Sequence, residues 1–130
     1  MPIARFPRPE GLPPANGYSH AVRASGSVVH VSGQLPLRTD GSLAGPDATT
    51  QTEQVFSNLE AALTAAGASW TDVVRIGYYL VDLADLPQVR AVRDRHVDPA
   101  HLPASTLVQV AGLVHPEARV EIDVVAVVDA

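Results

Sequence analysis

Between Tyr18 and Val128 the apolar positions follow two periods, one of two residues and one near 3.6, and each change of period marks an element. "YSHAVRA" and "SVVHVSGQLPL" are short β-prone runs joined by "SG", which predicts a tight hairpin. A loop with Gly41, Gly45 and Pro46 follows. "TTQTEQVFSNLEAALTAAG" then sets Val55, Leu59, Ala62, Leu63 and Ala66 at helical spacing, with Gly67 placed to cap the C-terminus. "DVVRIGYYLVDL" is apolar and β-branched over one strand length and predicts a central strand. "DLPQVRAVRDRHV" predicts a shorter helix, with Asp85 as N-cap, Pro87 near the first turn, and Val89, Val92 and His96 on one side. "HLPASTLVQV" and "ARVEIDVVAV" close the chain as two more strands. Up to about Asn16 the chain is rich in Pro, which removes donors and restricts φ, so irregular structure is expected there.

This order predicts an α+β protein with a mixed sheet and both helices on one face. The opposite face has no cover within the chain, so a homo-oligomer burying those faces against one another is expected. The 130 residues, 46% of them apolar, suffice for a single domain spanning 1–130. No apolar run is long enough to span a bilayer and the start lacks a signal-like apolar stretch, so a soluble cytoplasmic protein without a membrane partner is expected. With no Cys there are no disulfides, thiolate nucleophiles or Cys-ligated metals. The net charge is −5 and all nine basic residues are scattered Arg, which gives no electrostatic footprint for nucleic acid.

Candidate chemistry is sparse. Alternation in "RVEIDVVAV" puts Val120, Ile122, Val124 and Ala126 on one face and Glu121, Asp123, Val125 and Val127 on the other. Glu121 therefore points away from the helices, either as part of a solvated face or as a carboxylate in a cleft, able to orient or deprotonate water. The five His residues show no metal-ligand spacing, so no metal is expected. P-loop, G-x-G-x-x-G and G-x-S-x-G motifs are absent. "SGQ" at Ser32 to Gln34 ends a strand on Gly33, as a turn or as a place where a ligand approaches the backbone.

Taken together, "GYSHAV", "VHVSGQLPL", "QVFSNLEAALTAAGASWTDVVRIGYYLVDL" and "PASTLVQVAGL…ARVEIDVVAV" resemble the RidA/YjgF family, the reactive intermediate deaminases, from about Gly17 to Val128. The resemblance implies a chorismate-mutase-like fold and a homotrimeric barrel with three clefts between subunits. It also implies hydrolysis of enamines and imines such as 2-aminoacrylate without metal or organic cofactor. Position by position, Tyr18 matches the family's cleft tyrosine, Ser32 and Gly33 the strand-end pair beside the ligand, and Glu121 the acid that positions the attacking water. Two positions depart from the pattern. Ser105 stands where the deaminase branch has the Arg that grips the substrate carboxylate, and Arg90 where the family has a cleft Asn. Arg90 is either a solvated helix residue or a guanidinium returned to the cleft from another wall. These departures imply a branch lacking the carboxylate-binding arginine, with a small-molecule substrate other than 2-aminoacrylate. The rival reading is a non-catalytic small-molecule-binding trimer. A ribonuclease activity, described for some relatives, is at odds with the acidic balance.

Overall fold

The computed structural model describes residues 3–129, and its longest helix shows how directly local sequence sets local structure. Helix α1 spans Ala48–Ala65 and starts at Asp47, whose carboxylate accepts a hydrogen bond from the Thr50 amide at 2.9 Å. It ends where Gly67, at φ +77°, allows the Gly67 amide to reach Thr64 O and the Ala68 amide to reach Leu63 O, the paired bonds of a Schellman motif. Strand β1 is Ile3–Phe6, β2 Ala21–Ala24, β3 Ser27–Gln34, β4 Val73–Leu80, β5 Ala104–Gln109 and β6 Val120–Val128. Helix α2 is Leu86–Arg93. The four-stranded sheet has the order β3-β6-β4-β5, antiparallel except for the β4–β5 pair, which α2 connects.

The mixed sheet with both helices on one face is as expected. Val55, Phe56, Leu59 and Leu63 of α1 and Val89 and Val92 of α2 pack on Ile76 and Leu80 of β4 and on Val120, Ile122, Val124 and Ala126 of β6. The period-two alternation in β6 thus sends its even-numbered residues to the core and Glu121, Asp123, Val125 and Val127 outward.

Two expectations fail at the N-terminus. The proline-rich stretch contains a strand, β1, because "IARF" lies between prolines rather than around one. β2 and β3 do not form a hairpin: β2 pairs with β1, Ile3 opposite Ala24 and Phe6 opposite Ala21, in a separate two-stranded ribbon. Gly26 sits at φ +140°, well away from the φ of hairpin turns, and makes a corner that sends β3 to β6. The ribbon also supplies cover that was not expected from within the chain. Arg5 donates to Val73 O at 3.0 Å and Thr71 O at 2.8 Å, and Ile3 and Arg5 share a cavity with Val127. Val127 is 6% exposed, whereas Val28 at 55% and Val108 at 41% remain open elsewhere on the outer face or its edge.

Entry into β6 is held from several sides. The buried Gln51 amide donates to Gly45 O and Glu117 O and accepts from the Arg119 amide at 2.7 Å. The Arg119 guanidinium in turn bonds Pro46 O and the Asp85 carboxylate. Asp85 therefore serves as an ion-pair partner, and its side chain makes no cap for α2, although the helix starts beside it and carries Pro87 in its first turn.

Candidate functional site

"SGQ" ends β3, as expected, but as an irregularity within the strand pairing and not as a turn. Val31 pairs with Val124 and Gln34 with Ile122, so Ser32 and Gly33 together oppose the single residue Asp123 and form a β-bulge. The bulge carries Gly33 against the Glu121 side chain, where a Cβ would collide with the carboxylate. Gly33 has no positive φ, so what glycine provides here is room. Glu121 is half-buried and makes no hydrogen bond or ion pair to the described residues. A cavity of about 370 Å³ opens next to the bulge, lined by Gly33, Gln34, Leu35, Leu37, Arg38 and Asn58. Its wall is fixed by Asn58, which donates to Leu35 O and Leu37 O, and by Arg38, which donates to Leu43 O and Ala44 O.

Asp123, two residues along the same face, is in a different state. Its carboxylate accepts from Arg75 Nη1 at 3.2 Å and from the Tyr79 hydroxyl at 3.1 Å. All three groups crowd over Gly77, where a Cβ would lie 2.5 Å from Asp123 Oδ1. Tyr79 is also the cross-strand partner of Glu121. Of two neighbouring carboxylates, one is committed to a cation and a hydroxyl and the other is unclaimed among the described residues. Sequence reasoning missed this network, although a glycine inside a β-branched strand is a signal of close approach.

The remaining candidates lie elsewhere. Ser105 pairs in register with Ile76 and so faces the helix side of the sheet. From β6 to β5 is two strand spacings, roughly 10 Å, and the two side chains leave the sheet on opposite faces. Tyr18 is on the Ser105 side: the Ser19 amide donates to Pro103 O and its hydroxyl to Leu102 O, and Ser19 bridges Ala104. The Tyr18 ring makes an edge contact with His20 at 5.3 Å. Arg90 is half-buried on α2 and has no hydrogen bond or ion pair to the described residues. One turn on, on the same flank, Arg93 lies beneath Gly17, a contact that sequence reasoning did not anticipate. The six candidates thus form two groups, with Ser32, Gly33 and Glu121 in one and Tyr18, Ser105 and Arg90 in the other. Among the described residues no group of three or more His, Asp or Glu side chains could hold a metal ion, and no helix is long and apolar enough to cross a membrane.

An α+β sheet with two helices on one face and an unclaimed acid beside a glycine bulge on the other defines the class of protein. The chain belongs to the family described as Endoribonuclease L-PSP, whose profile matches residues 9–128. It is 39% identical over 120 residues to the 3-aminoacrylate deaminase RutC of Acinetobacter baylyi, covering 91% of this chain and 93% of that one. It is 33% identical over 118 residues to the 2-iminobutanoate/2-iminopropanoate deaminase of Dermatophagoides farinae, covering 89% of each. Among solved structures, YyfB of the conserved Rid protein family from Yersinia pestis, a protein of unknown function, matches with a TM-score of 0.84 and 34% identity, over 98% of this chain and 100% of that one. The RidA/YjgF resemblance holds at the level of family and fold.

Proposed function

We propose that the protein is a cofactor-independent deaminase that hydrolyses the C=N bond of small imines, or the enamines in equilibrium with them. Glu121 is the general base. It takes a proton from water as the water oxygen bonds to the imine carbon, and delivers that proton to the nitrogen as the C=N π bond is lost, which gives a carbinolamine. Glu121 then takes the carbinolamine hydroxyl proton and passes it to the same nitrogen as the C–N bond breaks, so that ammonia leaves with a carbonyl product. No electrons are exchanged with an outside donor. The observation that carries this reading is the unclaimed Glu121 carboxylate beside the Gly33 bulge, next to an Asp123 that Arg75 and Tyr79 already engage. The deaminase names of two relatives support the reaction class.

The two groups of candidate residues lie on opposite faces of one sheet, and a second copy would let them share a cleft. We therefore assign the working site to the junction between subunits of a homotrimer. Glu121, Ser32 and Gly33 come from one subunit, and Tyr18, Ser105 and Arg90 from its neighbour. Ser105 offers a hydroxyl in place of a guanidinium, which weakens the grip on an α-carboxylate about three- to thirtyfold, so the substrate differs from 2-aminoacrylate.

Glu121→Gln is the decisive variant, because Gln keeps the shape and one acceptor oxygen but takes up no proton in the working pH range. Hydrolysis of an activated imine should fall about a hundred- to ten-thousandfold while melting temperature and oligomer mass stay nearly constant. Full turnover by the variant would overturn the catalytic assignment. Wild-type binding of small molecules without turnover across a broad imine panel would favour the non-catalytic binder.

A further inference from the structure

A second cavity, of about 400 Å³, lies between the segment before Tyr18 and the C-terminal end of α2, lined in part by Asn16, Gly17, Arg93, Asp94, Val97 and Leu102. Its size falls within the range of small-molecule sites, about 300–1,000 Å³. The Arg93 side chain is only 11% exposed, unusually low for an arginine on an eight-residue helix. Gly17, at φ +73°, lays bare backbone on the guanidinium: a Cβ there would be 2.5 Å from Nη2 and 2.9 Å from Nη1. The single anionic partner of Arg93 among the described residues is its neighbour Asp94, which receives Nε and Nη2 on one oxygen and is itself 65% exposed. An ion pair so open to water is weak, and Nη1 bonds none of the described residues.

A second donor is also unclaimed. Tyr78, 3% exposed, has a hydroxyl with no hydrogen-bond partner among the described residues, and it is close enough to feel the charges of Arg93 and Asp94. Val97 and Leu102 add apolar wall beside these polar groups. A guanidinium sheltered from water, with one edge free and apolar surface alongside, suits a carboxylate on a short apolar chain.

We propose that this cavity is a subsite for the carboxylate of a small organic acid, with Arg93 as the anchor and Val97 and Leu102 against the chain. The inference rests on the deaminase reading only for its link to turnover, where it makes the substrate anionic. Through Gly17 the cavity adjoins Tyr18, and through Leu102 it leads into the strand that carries Ser105. In this proposal Arg93, on the helix flank, takes the anchoring role that the family resemblance gives to the position of Ser105 on the strand.

The test uses butyrate as probe and the neutral butyramide as its control, read by the Nε–Hε resonance of Arg93 and the Gly17 amide in the full-length protein. Butyrate should shift both signals saturably and butyramide neither. Arg93→Met should weaken butyrate binding about tenfold or more. Asp94→Asn removes the competing carboxylate from an exposed position and should tighten it about threefold, a gain that a purely structural Arg93 would not produce. Equal binding of butyramide, unchanged affinity in Arg93→Met, or no gain in Asp94→Asn overturns the proposal. Glu121→Gln separates the two ideas. If it keeps full turnover while butyrate still needs Arg93, the catalytic reading falls and the subsite stands; if turnover is lost and butyrate ignores Arg93, the reverse holds.

Discussion

Tyr78 shows what a single residue's environment does to its chemistry. The ring is packed against the core and burial pushes its phenol pKa well above the ordinary tyrosine range, with Arg93 opposing and Asp94 adding to the shift. Desolvation raises the pKa of an acid whose ionised form is the charged one. In the unfolded chain the same phenol ionises near pH ~10. This contribution to stability is therefore fully present below pH ~10 and is lost as the pH rises toward the folded-state value, at up to ~1.4 kcal/mol per pH unit. Tyr78→Phe should remove that loss. Because the hydroxyl has no partner among the described residues, the variant should match the wild type at pH 7 or exceed it by up to ~1 kcal/mol. Urea melts of both proteins at pH 7 and pH 10.5 check this. A loss of more than ~1 kcal/mol at pH 7 would mean that the hydroxyl is paired in solution.

At the scale of elements, the site depends on how β6 is entered. Glu121 is the second residue of the strand, and the residues just before it are held by Gln51 from the first turn of α1. Gln51→Leu keeps the approximate volume and removes all three bonds, leaving Gly45 O, Glu117 O and the Arg119 amide without their partner. The expected cost is ~2–4 kcal/mol by chemical denaturation, well above the typical effect of a polar substitution at the surface. A cost below ~0.5 kcal/mol would show that water replaces the amide. The bulge in β3 is the other half of this arrangement: it turns Gly33 toward the acid, and Asn58 of α1 holds the loop that follows.

At the scale of the whole molecule, the two sheet faces are unlike. One is sealed by α1 and α2. The other carries Glu121, the Arg75–Asp123–Tyr79 network and exposed Val28 and Val108, and the β1–β2 ribbon covers it at one end only. β3 and β5 are the edges of the sheet, β5 being bridged by Ser19 at Ala104, and the edge backbone groups left without partners among the described residues, with the apolar side chains beside them, invite association. The proposed trimer predicts a light-scattering mass three times that of the chain at micromolar concentration. Val28→Asp, which puts a charge on the open face, should shift that mass toward the monomer while leaving the helix-side core intact. A monomer mass for the wild type would remove the basis for a site shared between subunits.

Local pattern determined most of the elements. The periods of 3.6 and two placed α1, α2, β3, β4, β5 and β6, because burying one face of an element imposes its spacing on the sequence. The same alternation assigned Glu121 to the outer face without any knowledge of its neighbours. Tertiary structure decided what no local pattern encodes, namely which distant groups meet. It paired β2 with β1 instead of β3, because Gly26 turns a corner outside the hairpin geometry. It bound Asp123 to Arg75 and Tyr79 and left Glu121 unclaimed among the described residues, a distinction between two identical charges two residues apart. It also buried Arg93 under Gly17 while its neighbour on the helix flank, Arg90, stayed unpaired among the described residues. Periodicity reports which face a residue occupies; the partner waiting on that face depends on strand order, bulges and loop paths, which are set by packing across the whole chain.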